Sequence, residues 1–436
     1  MRQVPVPPLA YAPAAVEAIS TITLDIAERL TDPTRILRTA PHASLETSLF
    51  QGLPGAAILL ARLTDQRAAF ADAAHAHLQT AQTALPAPAA GISAGPGAVI
   101  TAALIAHSMN ADPRLTPFLK PGVQWLTAHA HHLTGQQTAR RAAGHPGARW
   151  ETYDAVLGLA GIGRVLLLAH QTGIPTAEAG LTAALRSLTD LLHIDDRGWP
   201  GWWLPAVDHR PLSKPHPSGL ATTGVAHGVA GPLAFLSAAL IAGIGVAGQE
   251  DAVRTAAQWL TDWRRPDDQS WPWRVTGDEL TQGKHAPGLR SGPRDVWCYG
   301  AAGLGRTLQM AGSALHQPDI TRVGTNAIAT LATMAPEQWQ AAGPTVCHGL
   351  AGILQAMVQA HRHSADPRLA AAATAAAAHI TERHWRPHTP YGFPHHDGAS
   401  HRHHVGLHEG AAGVALALTE STHPTPSNWD IPLLLQ

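Results

Sequence analysis

Apolar residues recur along the chain in two kinds of segment. In segments 181–193, 251–263 and 367–385 they recur at three- and four-residue spacing, which predicts helices covered on one side only. The runs that follow a set of glycine motifs are apolar nearly all round, which predicts buried helices. The pattern therefore predicts alternating outer and inner helices.

A glycine motif precedes each apolar run and repeats along the chain. The pattern x-Gly-x-small-Gly occurs seven times, and only the second copy departs, with Ala94 in place of the first glycine. The copies begin at Gln51, Ser93, Leu157, His227, Tyr299, His348 and Glu409. Their closing glycines lie 42 to 72 residues apart, and the extra residues precede the motif. Open solenoids prefer regular repeats and capped ends, so this irregularity favours a closed ring.

We therefore predict an all-α fold, an α/α toroid (a double-layered barrel) of seven inner and seven outer helices. Residues 1–40 form an N-terminal segment in this prediction. Residues 41–436 form a single toroid domain, with long loops before repeats 3, 4, 5 and 7. The glycines that open each inner helix are expected to supply unusual backbone angles and close approach between helices.

Composition agrees with this fold and limits the function. The apolar residues are mostly alanine and leucine, which favour helices. The 30 Lys+Arg and 31 Asp+Glu residues nearly balance, so no basic surface indicates nucleic-acid binding. Residues 229–248 carry no charge but include five Gly or Pro, which favours a buried helix and a Gly-rich turn over a transmembrane segment. No apolar run at the N-terminus reads as a signal peptide, so we expect a cytoplasmic protein.

Reactive side chains concentrate at the residue directly before each motif, a position called here the slot. The slot residues are Phe50, Ile92, Val156, Ala226, Cys298, Cys347 and His408, so both cysteines of the chain fall in consecutive slots. Neighbouring inner helices lie about 8–10 Å apart, so their starts can converge on one ion. Cys298, Cys347 and His348 would give two thiolates and an imidazole, which suit one Zn²⁺ with an open fourth position. Two buried cysteines and a satisfied histidine are the alternative.

Other reactive side chains stand close to the motifs. His227, in the motif position that His348 occupies two copies later, is a candidate general acid or base. Arg294, four residues before Cys298, and Tyr299 beside it are candidate electrophilic or proton-handling groups. Asp154 is the carboxylate just ahead of the third motif. A purely structural role remains open for each.

Two further stretches allow two interpretations each. The histidine-rich stretch 395–410 suggests a second metal site, but its spacing matches no ligand template, which favours a solvated loop. The tryptophans of 198–205 and 270–274 form either an apolar rim for a peptide or packing within the loops.

The motifs AHGVAG, WCYGAAGLG and CHGLAGIL, spread over seven glycine repeats, resemble the lanthionine synthetase C (LanC-like) family. The resemblance covers the chain from residue 40 to the end. It implies an α/α toroid with one catalytic zinc held by the cysteine of WCYG and by the cysteine and histidine of CHG. Carried over residue by residue, the ligands are Cys298, Cys347 and His348. The remaining family positions are matched by His227, Arg294, Tyr299 and Asp154.

The resemblance also implies a reaction and its partners. The reaction is intramolecular addition of a cysteine thiol to dehydroalanine or dehydrobutyrine, which forms lanthionine or methyllanthionine rings in a peptide. The partners would be a dehydrated precursor peptide with a leader and a separate dehydratase. An exporter would join them in a biosynthetic complex, through which the protein could associate with a membrane.

Three alternatives remain beside this interpretation. A LanC-like protein could instead add glutathione to dehydrated residues at the same metal site. A protein prenyltransferase β subunit is also a helical toroid with a thiol-activating zinc, but the WCYG and CHG pair argues against it. A noncatalytic peptide-binding toroid would not need the metal ligands.

Overall fold

The computed structural model describes residues 8–39, 45–87, 91–208, 216–265, 269–282, 295–397, 400–423 and 427–436. The chain divides into two compact units. Unit 1 comprises residues 1–122, 295–297 and 328–431. Unit 2 comprises residues 123–294, 298–327 and 432–436.

Helices dominate both units. The α-helices are α1 Pro13–Arg29, α2 Pro33–Thr39, α3 Leu53–Arg62, α4 Ala69–Thr83, α5 Pro96–Asn110, α6 Thr116–Ala142, α7 Trp150–Tyr153, α8 Leu159–Gln171, α9 Glu178–Leu191, α10 Ala230–Ile241, α11 Gln249–Asp262, α12 Gly277–Gln282, α13 Ala301–Ala314, α14 Pro318–Ala329, α15 Leu350–Ser364, α16 Pro367–His379 and α17 Ala411–Thr422. Two antiparallel hairpins pair β1 Leu220–Thr222 with β2 Arg274–Thr276 and β3 His395–Asp397 with β4 Ser400–Arg402.

In unit 1, four helices that begin at a glycine motif pack in succession. Helix α15 packs on α17, α17 on α3, and α3 on α5. Their motif-facing turns and central turns are buried throughout, as at every position from Leu350 to His361 in α15. An outer layer covers them, with α16 on α15, α1 on α17 and α4 on α3.

In unit 2, helices α8, α10 and α13 form the equivalent inner row. Helix α10 packs against α8 on one side and α13 on the other. Helices α9 and α11 cover α8 and α10, and each buries one face only. The uncharged stretch 229–248 is the buried helix α10 followed by a turn at Gly243 (φ 74°), as its composition predicts.

Each of the seven glycine motifs begins a helix, so the predicted inner helices are confirmed. The first glycine is required by space rather than by unusual angles. At Gly349 the backbone is extended (φ −127°), yet a Cβ atom would lie 2.3 Å from the carbonyl oxygen of Thr345. At Gly158 (φ −104°) it would lie 2.4 Å from the backbone nitrogen of Asp154. The expectation of close approach is therefore confirmed, while that of unusual backbone angles is wrong at these two positions.

Two other sequence predictions concern the N-terminal segment and membrane-spanning helices. Within the predicted N-terminal segment 1–40, the structure forms α1 and α2, and α1 packs on α17. The division into segment and single domain stays a prediction. Among the described residues, no helix combines the length and hydrophobicity that a membrane span needs.

A buried histidine in α4 makes the stability of the fold sensitive to acid. The ring of His77 is fully buried, its Nδ1–H donates to the carbonyl of Ala73 (2.8 Å), and burial lowers its pKa from 6.5 to about 4. Between these values the unfolded chain binds the proton and the folded chain does not. The stabilisation is therefore present above pH 6.5 and is lost as the pH falls towards 4.

We expect His77→Leu to reduce the loss of unfolding free energy between pH 7.5 and pH 5 by about 2 kcal/mol. Urea unfolding at both pH values measures this difference. The matched control is His170→Leu, at an exposed position near the end of α8. An unchanged pH dependence in His77→Leu would contradict the prediction.

Candidate functional site

His227 and Asp154 form a hydrogen-bonded pair in unit 2. His227 opens the fourth glycine motif, and its Nδ1–H donates to Oδ2 of Asp154 over 2.6 Å. The Asp154 side chain is fully buried, whereas about a third of the His227 side chain is exposed. The carboxylate therefore fixes the imidazole tautomer with the proton on Nδ1 and leaves Nε2 for other chemistry.

The position of Asp154 is fixed by the backbone around it. Its Oδ1 accepts hydrogen bonds from the backbone N–H groups of Val156, Leu157 and Gly158, at 2.6–3.0 Å. These groups precede α8 and would otherwise lack partners at the start of the helix. The carboxylate is thus held by three donors on one oxygen and presents the other oxygen to His227.

Backbone hydrogen bonds connect the slots of neighbouring copies. In unit 2, the carbonyl of Ala226 accepts from the N–H of Ala155 (3.1 Å), and that of Cys298 accepts from the N–H of Val225 (2.8 Å). In unit 1, the carbonyl of His408 accepts from the N–H of Cys347 (3.0 Å), and that of Phe50 accepts from His408 (3.1 Å). We call this series of main-chain hydrogen bonds the carbonyl relay. It places the slot residues of successive copies at equivalent positions.

In five of the seven motifs the first residue is less buried than the residues on either side of it. Gln51, Ser93, Leu157, His227, Tyr299 and Glu409 are each half-buried, and His348 is exposed. The glycine that follows most of them is buried. The motif thus presents one side chain towards solvent at each helix start, while slot residues such as Cys298 and His408 are buried.

Two slots and one motif position meet in a cluster with metal-ligating capacity. One ligand atom from each of Cys298, Cys347 and His348 lies within 4.8 Å of the others, the sole such group among the described residues. Cys298 is buried, Cys347 is half-buried and His348 is exposed. The segment before Cys298 is held by Asp295, whose Oδ2 accepts from the N–H of Gln340 (2.7 Å).

The structure describes one of the other two predicted site residues, Tyr299. Tyr299 follows Cys298 directly, is half-buried and packs edge-on against Trp273, with ring centroids 6.4 Å apart. Arg294 lies outside the described residues. Its predicted role therefore stays a prediction.

Residues that the sequence did not single out also shape the site. Trp150, in α7, stacks on His227 with ring centroids 5.9 Å apart. The Thr222 hydroxyl donates to the carbonyl of His227 (2.5 Å). Trp150 stands four residues before Asp154. That spacing does not predict that the Trp150 ring contacts His227, which lies much further along the chain.

The tryptophan-rich loops serve mainly as packing. Trp202, Trp203 and Trp271 are buried, and Trp202 packs edge-on against Trp259 of α11 with ring centroids 5.2 Å apart. The Trp271 indole N–H donates to the carbonyl of Leu260 (2.7 Å). The structure favours the loop-packing interpretation for these three residues.

The histidine-rich stretch is not the solvated loop that its spacing favoured. Strands β3 and β4 pair within it, and His395, His404 and His408 are buried. His408 stacks on Phe50 with ring centroids 3.6 Å apart. Burial, with a smaller effect from His348, lowers the pKa of His408 to about 3, so this ring is neutral near neutral pH.

The turn before His227 leaves no space beside Cys298. A Cβ atom at Gly224 would lie 2.5 Å from the carbonyl oxygen of Cys298 and 2.4 Å from the Tyr299 ring. We therefore expect Gly224→Ala to displace Cys298 and to weaken binding of a divalent metal by about 10-fold or more. Competition with a chelator measures this affinity.

Gly135→Ala is the matched control for this substitution. Gly135 lies inside α6, where a Cβ atom would meet no atom within 4 Å. This change is expected to leave metal affinity unaltered and to stabilise the helix by up to about 1 kcal/mol. Equal metal affinity in the two variants would contradict the crowding argument.

The fold has a close counterpart among solved structures. The structure described as "Nisin cyclase" matches with a TM-score of 0.75 and 18% sequence identity, and the match covers 97% of this chain and 98% of that chain. This likeness confirms the predicted fold class, an α/α toroid. A sugar epimerase from a ruminal bacterium has a TM-score of 0.40 and 12% identity, covering 68% of this chain and 85% of that chain.

Sequence comparison gives the family. No curated protein matches the sequence of the chain. The family model "Lanthionine synthetase C-like protein" matches residues 43–434, which is nearly the whole chain and includes all seven glycine motifs. The chain belongs to the lanthionine synthetase C-like family.

Proposed function

We propose that this protein is a zinc-dependent lanthipeptide cyclase. It would join cysteine thiols to dehydroalanine or dehydrobutyrine residues of a dehydrated precursor peptide. The observation that carries the proposal is the cluster of Cys298, Cys347 and His348, with ligand atoms within 4.8 Å of one another.

The donor set fits zinc. Two thiolates and one imidazole are typical ligands of Zn²⁺, and three protein ligands leave one tetrahedral position for substrate. The cluster runs from the buried Cys298 to the exposed His348, so it is open to solvent on one side. A purely structural zinc site normally has four protein ligands.

The proposed reaction adds one S–H bond across one C=C bond. The peptide cysteine loses its proton, its Sγ bonds to Cβ of the dehydro residue, and Cα then takes a proton, so no atom leaves the peptide. Zinc, when bound, would supply the acidity that deprotonates a coordinated thiol near neutral pH. The remaining steps depend on groups of this chain.

His227 is the proposed proton donor to Cα. Its Nδ1–H is occupied by Asp154, so a proton carried on Nε2 is the one available to the substrate. The buried carboxylate would stabilise the imidazolium that exists before the transfer. Tyr299, beside Cys298, is a candidate for orienting the enolate oxygen, as is Arg294.

The proposed partners follow from the substrate. A dehydrated peptide requires a dehydratase, and we propose that this is a separate protein that acts on a precursor with a leader. An exporter would complete the biosynthetic complex. The partners of the chain are thus proposed from the chemistry of its substrate class.

The direct test incubates the purified, zinc-loaded protein with a dehydrated peptide that contains one cysteine. Loss of the free thiol without a change in peptide mass is the expected result. Mass spectrometry and thiol alkylation together measure it. An alkylatable thiol that persists for as long as in a control without enzyme would contradict the proposal.

Two other outcomes would identify the alternative functions. Addition of one glutathione to the peptide, with the peptide thiol unchanged, would show that the protein adds an external thiol. Tight binding of the peptide to the zinc-loaded protein without any reaction would indicate a noncatalytic toroid.

A further inference from the structure

Four histidines of unit 1 form a continuous row that includes no member of the Cys298, Cys347 and His348 cluster. They are His379, His384, His396 and His401. Successive ring centroids lie 5.3 Å, 6.3 Å and 4.5 Å apart along the row. The histidine-rich stretch 395–410 contains only two of these histidines, His396 and His401.

A π-helical turn brings the first two rings together. Helix α16 ends at His379, and residues Ile380–His384 form one π-helical turn. The sequence predicted an uninterrupted helix over 367–385. In an α-helix, residues five apart point to different faces, whereas the i→i+5 bonding of a π-turn places them on one side. Turns of this kind are frequent at functional sites.

The hairpin supplies the other two rings. His396 and His401 are directly opposite each other in the β3–β4 register. The His396 ring lies against the backbone of Gly343, where φ is +83° and a Cβ atom would lie 2.8 Å from the ring. Glycine at this position therefore leaves the space that the His396 ring occupies.

These distances suit coordination of one cation. Two imidazoles on a tetrahedral metal, with metal–nitrogen distances of about 2.0–2.1 Å, have ring centroids about 5 Å apart. The ring spacings bracket this value. Because three nitrogens of the row do not lie within 4.8 Å of one another in the structure described, binding requires rotation of the rings about their side-chain torsions.

The orientation of a terminal ring favours metal binding. Glu337 lies 2.9 Å from Nδ1 of His379, which directs Nε2 of that ring away from the carboxylate.

We propose that this row is a second metal site, for a first-row divalent cation such as Zn²⁺, Ni²⁺ or Cu²⁺. His384 and His396 are its central ligands, and His379 and His401 complete it. The bound cation would join the β3–β4 hairpin to the end of α16. The proposal is independent of the cyclase function, because it involves none of the residues proposed for that reaction.

The test uses Cys347→Ala as the background, which removes a ligand of the first cluster. We expect this full-length variant to retain one equivalent of Zn²⁺ with a Kd in the micromolar range, measured by calorimetry. Adding H384A and H396A is expected to raise that Kd by at least about a hundredfold. Adding H131A and H388A, at two exposed histidines outside the row, is expected to leave it unchanged.

Two further measurements test the metal site even if the variant with H384A and H396A folds poorly. H384Q/H396Q is a more conservative pair, and H401A changes an exposed residue; both are expected to weaken binding. Co²⁺ at this site should show no thiolate charge-transfer band. Absence of metal binding in the Cys347→Ala background, or equal binding after loss of His384 and His396, would overturn the proposal.

Discussion

Replacing Cys347 by alanine is expected to abolish cyclisation and tight zinc binding at the first cluster. The substitution leaves Cys298 and His348 as the only two ligands of the cluster, too few for tight Zn²⁺ binding. Zinc recovered from the first cluster should fall from about one per chain to near zero after dialysis against a chelator. The cyclisation rate should fall by about a thousandfold or more, since thiol activation and positioning are lost together.

The chain's own cysteine content provides a second measurement. Both cysteines of the protein belong to the cluster, so the zinc-loaded protein should show no reactive thiol and the chelated protein should show two. Cys298→Ala should reproduce the effects of Cys347→Ala. The control is His170→Ala, at an exposed position on α8. Retention of chelator-resistant zinc at the first cluster, together with activity, by Cys347→Ala would remove the basis of the proposed function.

The Asp154→Asn variant is expected to lower the cyclisation rate by about 10²–10⁴-fold while zinc content stays unchanged. An asparagine can still accept from the three backbone N–H groups through its carbonyl oxygen. Its amide would then face Nδ1 of His227 as a donor, which favours the opposite imidazole tautomer. The measurement is single-turnover cyclisation at saturating peptide, with metal analysis of the same sample.

Urea unfolding distinguishes this positioning role from general damage. Asp154→Asn should slow cyclisation in protein that remains folded and zinc-loaded, because the Nδ1–H of His227 loses its carboxylate acceptor. Asp196→Asn, the same charge change at an exposed position, should leave the rate unaltered. Zinc loss together with unfolding in Asp154→Asn, or an unaltered rate at matched stability, would contradict the assignment.

Much of the fold is predictable because one local pattern repeats. The seven glycine motifs mark the start of seven buried helices, and the amphipathic segments 181–193 and 251–263 correspond to α9 and α11. The end of α16 was not predictable, because nothing in the residue pattern of 380–384 marks the change from α to π hydrogen bonding. Unusual torsion angles were wrongly expected at Gly349 and Gly158, where crowding requires glycine, but Gly95, which opens α5, has a φ of 68° as expected. Sequence does not distinguish these two reasons for a glycine.

The candidate site is predictable where it depends on equivalent positions. Cys298 and Cys347 share the slot, and the structure brings them together with His348. The pairing of Asp154 with His227 is different, because 73 residues separate them and their contact depends on the packing of α8 and α10. Burial of His408 and the stacking of Trp150 on His227 likewise depend on tertiary packing.

The carbonyl relay has a consequence for protein engineering. Its hydrogen bonds run between main-chain atoms, as from Val225 to Cys298 and from Cys347 to His408, so they constrain the backbone without constraining the slot side chain. Slot residues are accordingly diverse, with alanine, cysteine, histidine and phenylalanine at equivalent places. A ring built in this way is a modular scaffold, in which ligand identity and ligand placement can be varied independently around the repeat.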